Sequence, residues 1–268
     1  MAVLFATGGL PSAMAQAQGP GRPIASPVTD RFALRASYFP GAVDTNGRLD
    51  DARAGTPGTP FSAEADLGLD DRVDLARIEL MFRLRERHRV RVDYFRMDRS
   101  ARHVLARPLS FGRERFAAGE SVVSSLDWHM LAFTYYGSVL RRERYELGVG
   151  LGVHLIEAQA EGEVPARFAR EEASGVAPFP TLALDGTWRI SRRFALSGRA
   201  QYLRAAVDRF DGSLGDYHLD VQYRWRRNVA VGLGYSSLRA RFDVQDREFP
   251  GRLDLDVHGP ELFFRASF

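Results

Sequence analysis

Asp127, Trp128 and His129, with Ser124 and Ser125 just upstream, form the most enzyme-like cluster in the sequence. A hydroxyl, an imidazole and a carboxylate are the groups a nucleophilic hydrolase needs. Their spacing argues against that chemistry, because in an extended chain alternate side chains point to opposite faces and cannot all converge on one reacting atom. The other histidines, His88, His103, His154, His218 and His258, include no pair at metal-ligand spacing; Cys is absent and there is no G-x-S-x-G elbow. No catalytic residue, metal or cofactor is therefore assigned. Gly148, Gly150 and Gly152 give a G-x-G-x-G spacing that would cradle phosphate only ahead of a helix. They lie inside an alternating run with no helix after it, where they are expected to leave room for long Arg side chains opposite.

The elements that must position these residues follow from period-two patterning. The chain has 268 residues, 45% hydrophobic and 11% aromatic, enough for one sizeable domain. Its 37 basic residues, all Arg, nearly balance 34 acidic ones, and a net charge of +3 makes no case for nucleic acid as a partner. No uninterrupted apolar window is long enough for a transmembrane helix. From residue 31 onward apolar residues alternate with polar ones, as in Ala76, Ile78, Leu80, Phe82 and Leu84, or Tyr217, Leu219, Val221, Tyr223 and Trp225. Short Arg-rich turns at 85–88, 140–144, 191–193 and 226–228 alternate with longer polar connections at 99–120, 161–175, 210–215 and 246–252. The predicted strands span 31–42, 73–84, 88–98, 121–139, 145–160, 176–190, 193–207, 215–226, 229–243 and 253–268, about ten in all. Residues 44–70 form either an external hairpin or two more wall strands, which makes twelve the alternative.

Alternation alone does not say which face meets water. The polar face carries Arg77 and Glu79 on one strand and Arg89, Arg91 and Asp93 on the next, then Asp185, Arg189, Arg199, Asp220, Arg224, Glu261 and Arg265. Such a set can fill a narrow closed lumen as paired guanidinium and carboxylate groups, His154 and His218 lying on the same face. Surface charges on a soluble sheet are the alternative. Tyr38, Phe82, Tyr94, Tyr145, Trp188, Tyr217, Trp225 and Tyr235 fall near strand ends, where amphipathic rings gather at membrane interfaces. The fold expected is all-β, a closed antiparallel transmembrane β-barrel over 31–268. Ahead of it, 1–15 has the apolar stretch and Ala13-Met14-Ala15 motif of a signal peptide, though without a basic start, and 16–30 reads as a flexible periplasmic leader.

The last strand, Gly259 to Phe268, places Leu262, Phe264, Ala266 and Phe268 on one face and is interrupted by Pro260, a candidate bulge. Here the sequence resembles the bacterial outer-membrane β-barrel superfamily, in particular its small single-chain members. The resemblance implies a bacterial outer-membrane location, a lipid and lipopolysaccharide environment, and recognition of Leu262, Phe264 and Phe268 by the barrel-assembly machinery. Arg99, Arg102, Arg107, Arg113 and Arg115, in one polar connection, could then clasp lipopolysaccharide phosphates, a solvated loop being the plainer reading. The expected function is that of a non-enzymatic barrel with a narrow charged lumen, structural or interacting with small solutes or lipopolysaccharide. A lipid-modifying enzyme with a rim His and a narrow porin-like channel are the alternatives.

Overall fold

A computed structural model describes residues 27–51, 53–167, 169–207, 210–245 and 250–268. The expected signal segment and the leader as far as residue 26 lie outside the described residues. Ten long strands form the wall: β1 (Phe32–Leu49), β3 (Arg72–Arg85), β4 (His88–Val104), β7 (Ser121–Arg141), β8 (Tyr145–Val164), β9 (Ala169–Arg189), β10 (Phe194–Val207), β11 (Phe210–Arg226), β12 (Val229–Val244) and β13 (Gly251–Ser267). Each pairs antiparallel with its neighbour, and β13 pairs with β1, so the sheet closes and keeps no free edge in the wall. At the seam Phe268 accepts from the amides of Arg31 and Phe32 and donates to the carbonyl of Phe32.

The ambiguous stretch 44–70 resolves as the extension of β1 to Leu49 and a two-residue strand, β2 (Phe61–Ser62), laid on its end. Twelve wall strands are thereby excluded. The second external connection contains a small hairpin of β5 (Leu109–Phe111) and β6 (Glu114–Phe116). Residues 99–104, 169–175 and 210–215, read from sequence as loop, belong to strands. The wall therefore rises well past the ten or so residues that a tilted strand needs to cross lipid.

That extra height explains a reversal of polarity along the barrel axis. In the periplasmic part the outward face carries exposed Leu34, Ile78, Phe133, Leu151, Leu184, Leu219, Leu233 and Phe264, while the inward face is charged. Higher up the outward face turns polar, with Arg96, Asp98, His129, Glu157, Arg204, Arg239 and Asp256 on the same strands. There the inward face becomes an apolar core around Phe39, Leu75, Phe95, Trp128, Met130, Phe179, Leu214 and Leu238. The lower half is thus built for lipid outside and the upper half for water outside.

Pro260 makes no bulge. The β1–β13 register is unchanged on either side of it, from Tyr38↔Leu262 to Ala42↔His258, which sets Pro260 opposite Pro40. Two residues without an N–H face each other there, and the ladder is interrupted without slipping.

The periplasmic opening is filled from the N-terminal side. Val28 and Asp30 are buried; the Asp30 carboxylate accepts from Arg224 at 2.9 Å and from Arg265 at 3.4 Å, and its carbonyl accepts from Arg83. Arg141 donates to the carbonyl of Val28. The end of the expected flexible leader is therefore a fixed cap.

Candidate functional site

Above that cap the lumen is crossed by ion pairs. Arg199 of β10 donates to Glu79 of β3 at 2.8 Å, on the opposite wall of the barrel, and lies 3.3 Å from Asp93 of β4. Arg77 of β3 donates to Asp216 of β11 at 3.0 Å and contacts His218, which also bonds Asp216. Arg89 of β4 grips Asp185 of β9 with two hydrogen bonds of 2.9 and 2.8 Å, and Arg91 lies 3.1 Å from Glu79 and 3.9 Å from Asp185. Arg35 of β1 bonds both Asp220 and Glu261, its guanidinium stacked 3.6 Å above the ring of Phe263. Arg83 takes Glu146 as a bidentate partner. Planar guanidinium groups suit this task because one fork can hold two carboxylates from different strands and stays charged when desolvated.

The sequence-assigned lumen residues Arg77, Glu79, Arg91, Asp93, Asp185, Arg199, Asp220, Arg224, Glu261 and Arg265 all face this interior. Arg189 also points inward but makes no ion pair among the described residues. Arg89, placed on the polar face from sequence, belongs to the network as well, as do Arg35, Arg83, Glu146 and Asp216, which were not assigned to it. Arg35 and Arg83 carried the same signal, a polar position between outward apolar ones, so alternation could have found them. Asp30 carried none, since it precedes the first strand. Of the three lumen glycines Gly148 alone leaves room for an Arg, since a Cβ there would stand 2.5 Å from Asp185 Oδ1 and 2.8 Å from Arg89 Nη2, whereas Gly150 lies against the backbone of Tyr135 and Gly152 against Thr181, Gln201 and Thr134.

Above the charged layer, toward the external end, lies the apolar core, and above that a cavity of about 490 Å³ in the external mouth. Its floor is aromatic: Phe242 stacks on Trp128 at 6.3 Å and meets Phe179 edge-on at 5.8 Å. One wall is β8 and β9, whose inward positions here are small (Ala158, Ala160, Ala173, Gly175, Ala177), and across from it stand Leu253 and Val244.

The other assigned sites are placed as follows. Arg99 faces inward from β4, bonded to Thr45, Glu64 and the carbonyl of Asp70, so it is withdrawn from the external group. Arg107 ties the second connection to the first through Asp66 (2.7 Å) and the carbonyl of Pro60, and Arg113 lies 3.4 Å from Glu171. The Arg107 contact holds the Asp66 carboxyl below the usual carboxylate range, and Asp66 in turn raises Arg107. Arg102 is exposed and Arg115 is already partnered. His129 projects from the outer wall between Asp98 (3.1 Å) and Glu157 (3.7 Å). Ser124 is buried inward, whereas Ser125 shares the outward face with Asp127 and His129, a correction to the alternation argument for that residue. Four residues of extended chain still separate Ser125 from His129 by about 13 Å. Leu262 and Phe264 are exposed on the outward face of β13, and Phe268, just past its end, is exposed as well.

No protein-family model matches the chain, and no curated sequence does. Solved structures do. The outer membrane protease OmpT of Escherichia coli superposes with a TM-score of 0.54 at 10% identity, over 88% of this chain and 96% of that one. A Pseudomonas aeruginosa FadL homologue aligns at 0.36, 11% identity and 90% and 91% coverage, and Ail, the attachment invasion locus protein of Yersinia pestis, at 0.35, 10%, 87% and 99%. At these identities the likeness is one of fold. The chain folds as an outer-membrane β-barrel. All eight aromatics assigned to the barrel's interfacial girdles are exposed on its outer surface. An apolar band of this kind around a closed barrel is satisfied by hydrocarbon, as the wall of a membrane-spanning barrel requires.

Proposed function

We propose that the barrel is a non-conducting, non-enzymatic outer-membrane protein that interacts with small solutes at its external end. The observation that carries this reading is the pairing of Arg199 with Glu79 and of Arg77 with Asp216 across the lumen, which leaves the charged layer knit from wall to wall. Breaking such a pair strands a buried charge, at a cost of about 3–5 kcal/mol, so thermal opening of the layer is rare. Two features support a binding role over lipopolysaccharide capture: Arg99 is committed inside the wall, and Arg107 and Arg113 are spent on tying external segments together. At His129 the partners are carboxylates rather than a hydroxyl, which argues against a serine-type hydrolase there. Exposed Leu262, Phe264 and Phe268 on the terminal strand fit recognition by the barrel-assembly machinery.

The test is planar-bilayer recording of the refolded full chain. The unmodified barrel is expected to insert without a steady conductance, and the double variant Arg199→Ala/Glu79→Ala to show small openings. Sustained large conductance from the unmodified barrel would overturn the closed-lumen reading in favour of a porin-like channel.

A further inference from the structure

We infer that the cavity in the external mouth is a binding site for a small uncharged hydrophobic molecule, alkyl or aryl, taken up from the external medium. At about 490 Å³ it falls within the range of ligand pockets, and its lining is mostly apolar with an aromatic floor, Arg48 and Arg252 being its charged members. A cavity of this composition gains free energy by exchanging water for an apolar guest, because the lining is held open by the wall and cannot collapse on itself. The opening is made by sequence, through Ala and Gly at inward positions of β8 and β9 where the opposite wall carries Phe242 and Leu253. Gly175 is the clearest sign: a Cβ built on it meets nothing within 4 Å.

The source of the guest follows from the polarity reversal. At cavity height the outward face carries Glu157, Gln159, Arg239, Arg241 and Asp254, with exposed Val176 beside Glu157, so the wall there is predominantly polar and stands in water rather than in membrane lipid. Beneath the floor lie the apolar core and then the ion-pair layer, which makes the cavity a dead end rather than a stage of a transport path. The dead-end character, though not the binding itself, rests on the closed-lumen reading above.

The test uses Trp128, stacked under the cavity on Phe242. In full-length barrel carrying Trp188→Phe and Trp225→Phe, Trp128 is the one remaining indole. Reconstituted in lipid nanodiscs, this protein is titrated with N-phenyl-1-naphthylamine and energy transfer from Trp128 is read. Saturable transfer is expected, with the apparent Kd raised roughly tenfold or more by Gly175→Leu and by Ala177→Leu. Heat-modifiable gel migration shows that each variant is folded, and either one suffices. Transfer that is linear in probe, or saturable but equal in parent and filled variants, overturns the inference. So does quenching of Trp128 by nanodisc lipids with brominated acyl chains, which would name a membrane lipid as occupant. A silent bilayer with no saturable binding sinks the cavity site alone, whereas binding by a conducting barrel sinks the closed lumen alone.

Discussion

A single methyl group tests the packing of the lumen. Replacing Gly148 with Ala drives a Cβ into the Arg89–Asp185 pair, and because the two side-chain tips are held to each other by two hydrogen bonds, relief requires that the pair loosen. The expected cost is about 1–3 kcal/mol, typical of overpacking, seen as a lower temperature for conversion of the compact gel band to the unfolded one. Gly175→Ala, where the new atom meets open space, is the matched control and should leave that temperature unchanged. Equal behaviour of the two variants would refute the view that Gly148 is kept to accommodate the ion pair. At this scale the sequence was informative about direction and silent about partners. Alternation placed Arg77, Glu79 and Arg199 on the inward face, but nothing local tells Arg199 of β10 that its carboxylate waits on β3, because that pairing is created by closure of the sheet.

The strands were legible where lipid constrains them and blurred where it does not. In 145–155 an outward apolar residue at every second position is demanded by hydrocarbon, and the β8 prediction is accurate there. In 161–175 both faces of the wall meet water or other protein, so Glu161, Glu163, Glu171 and Glu172 obey no period and the segment reads as loop. Hydrogen bonding between β8 and β9, which leaves no side-chain signature, keeps 161–164 and 169–175 extended on either side of the short 3-10 turn at Pro165–Arg167. The external connections depend on specific ties, and the Arg107–Asp66 pair is open to titration. Because Asp66 is held below its ordinary range in the folded state, its contribution is complete above that range, near pH 4 and higher, and is lost as the pH falls through the lowered value. Pepsin digestion of the connection between β4 and β7 should therefore run faster for Asp66→Asn than for the parent at pH 5. The ratio of the two rates should approach one as the pH drops toward 2. A ratio that stays constant across this interval would show that the pair does not hold the connection.

For the molecule as a whole, the central fact is that inside and outside exchange character along one axis. The closed ten-strand architecture and the orientation of its lower half were readable from sequence, but the expectation of an inward charged face along the full height was too broad. Above the membrane the wall follows the rule of soluble sheets, with Phe95, Trp128 and Phe179 within and charges without. The three Trp residues sample both regimes: Trp188 and Trp225 are exposed on the outer surface and Trp128 is fully buried. In bilayers of brominated phospholipid, single-Trp versions retaining Trp188 or Trp225 should be strongly quenched and the version retaining Trp128 should not. Reversal of that order would turn the barrel inside out.

The exchange of character also bears on how one arrangement of hairpins is selected during assembly. If any strand slid by one residue against its neighbour, its guanidinium groups would be pushed into hydrocarbon at the lower end, at about 2–4 kcal/mol each near the midplane. The same slide would expose its buried rings to water at the upper end. Misalignment is thus penalised at two heights by two unrelated forces. A sequence of this kind can tolerate a seam whose ladder is broken at Pro40 and Pro260 and still thread every strand to a single offset.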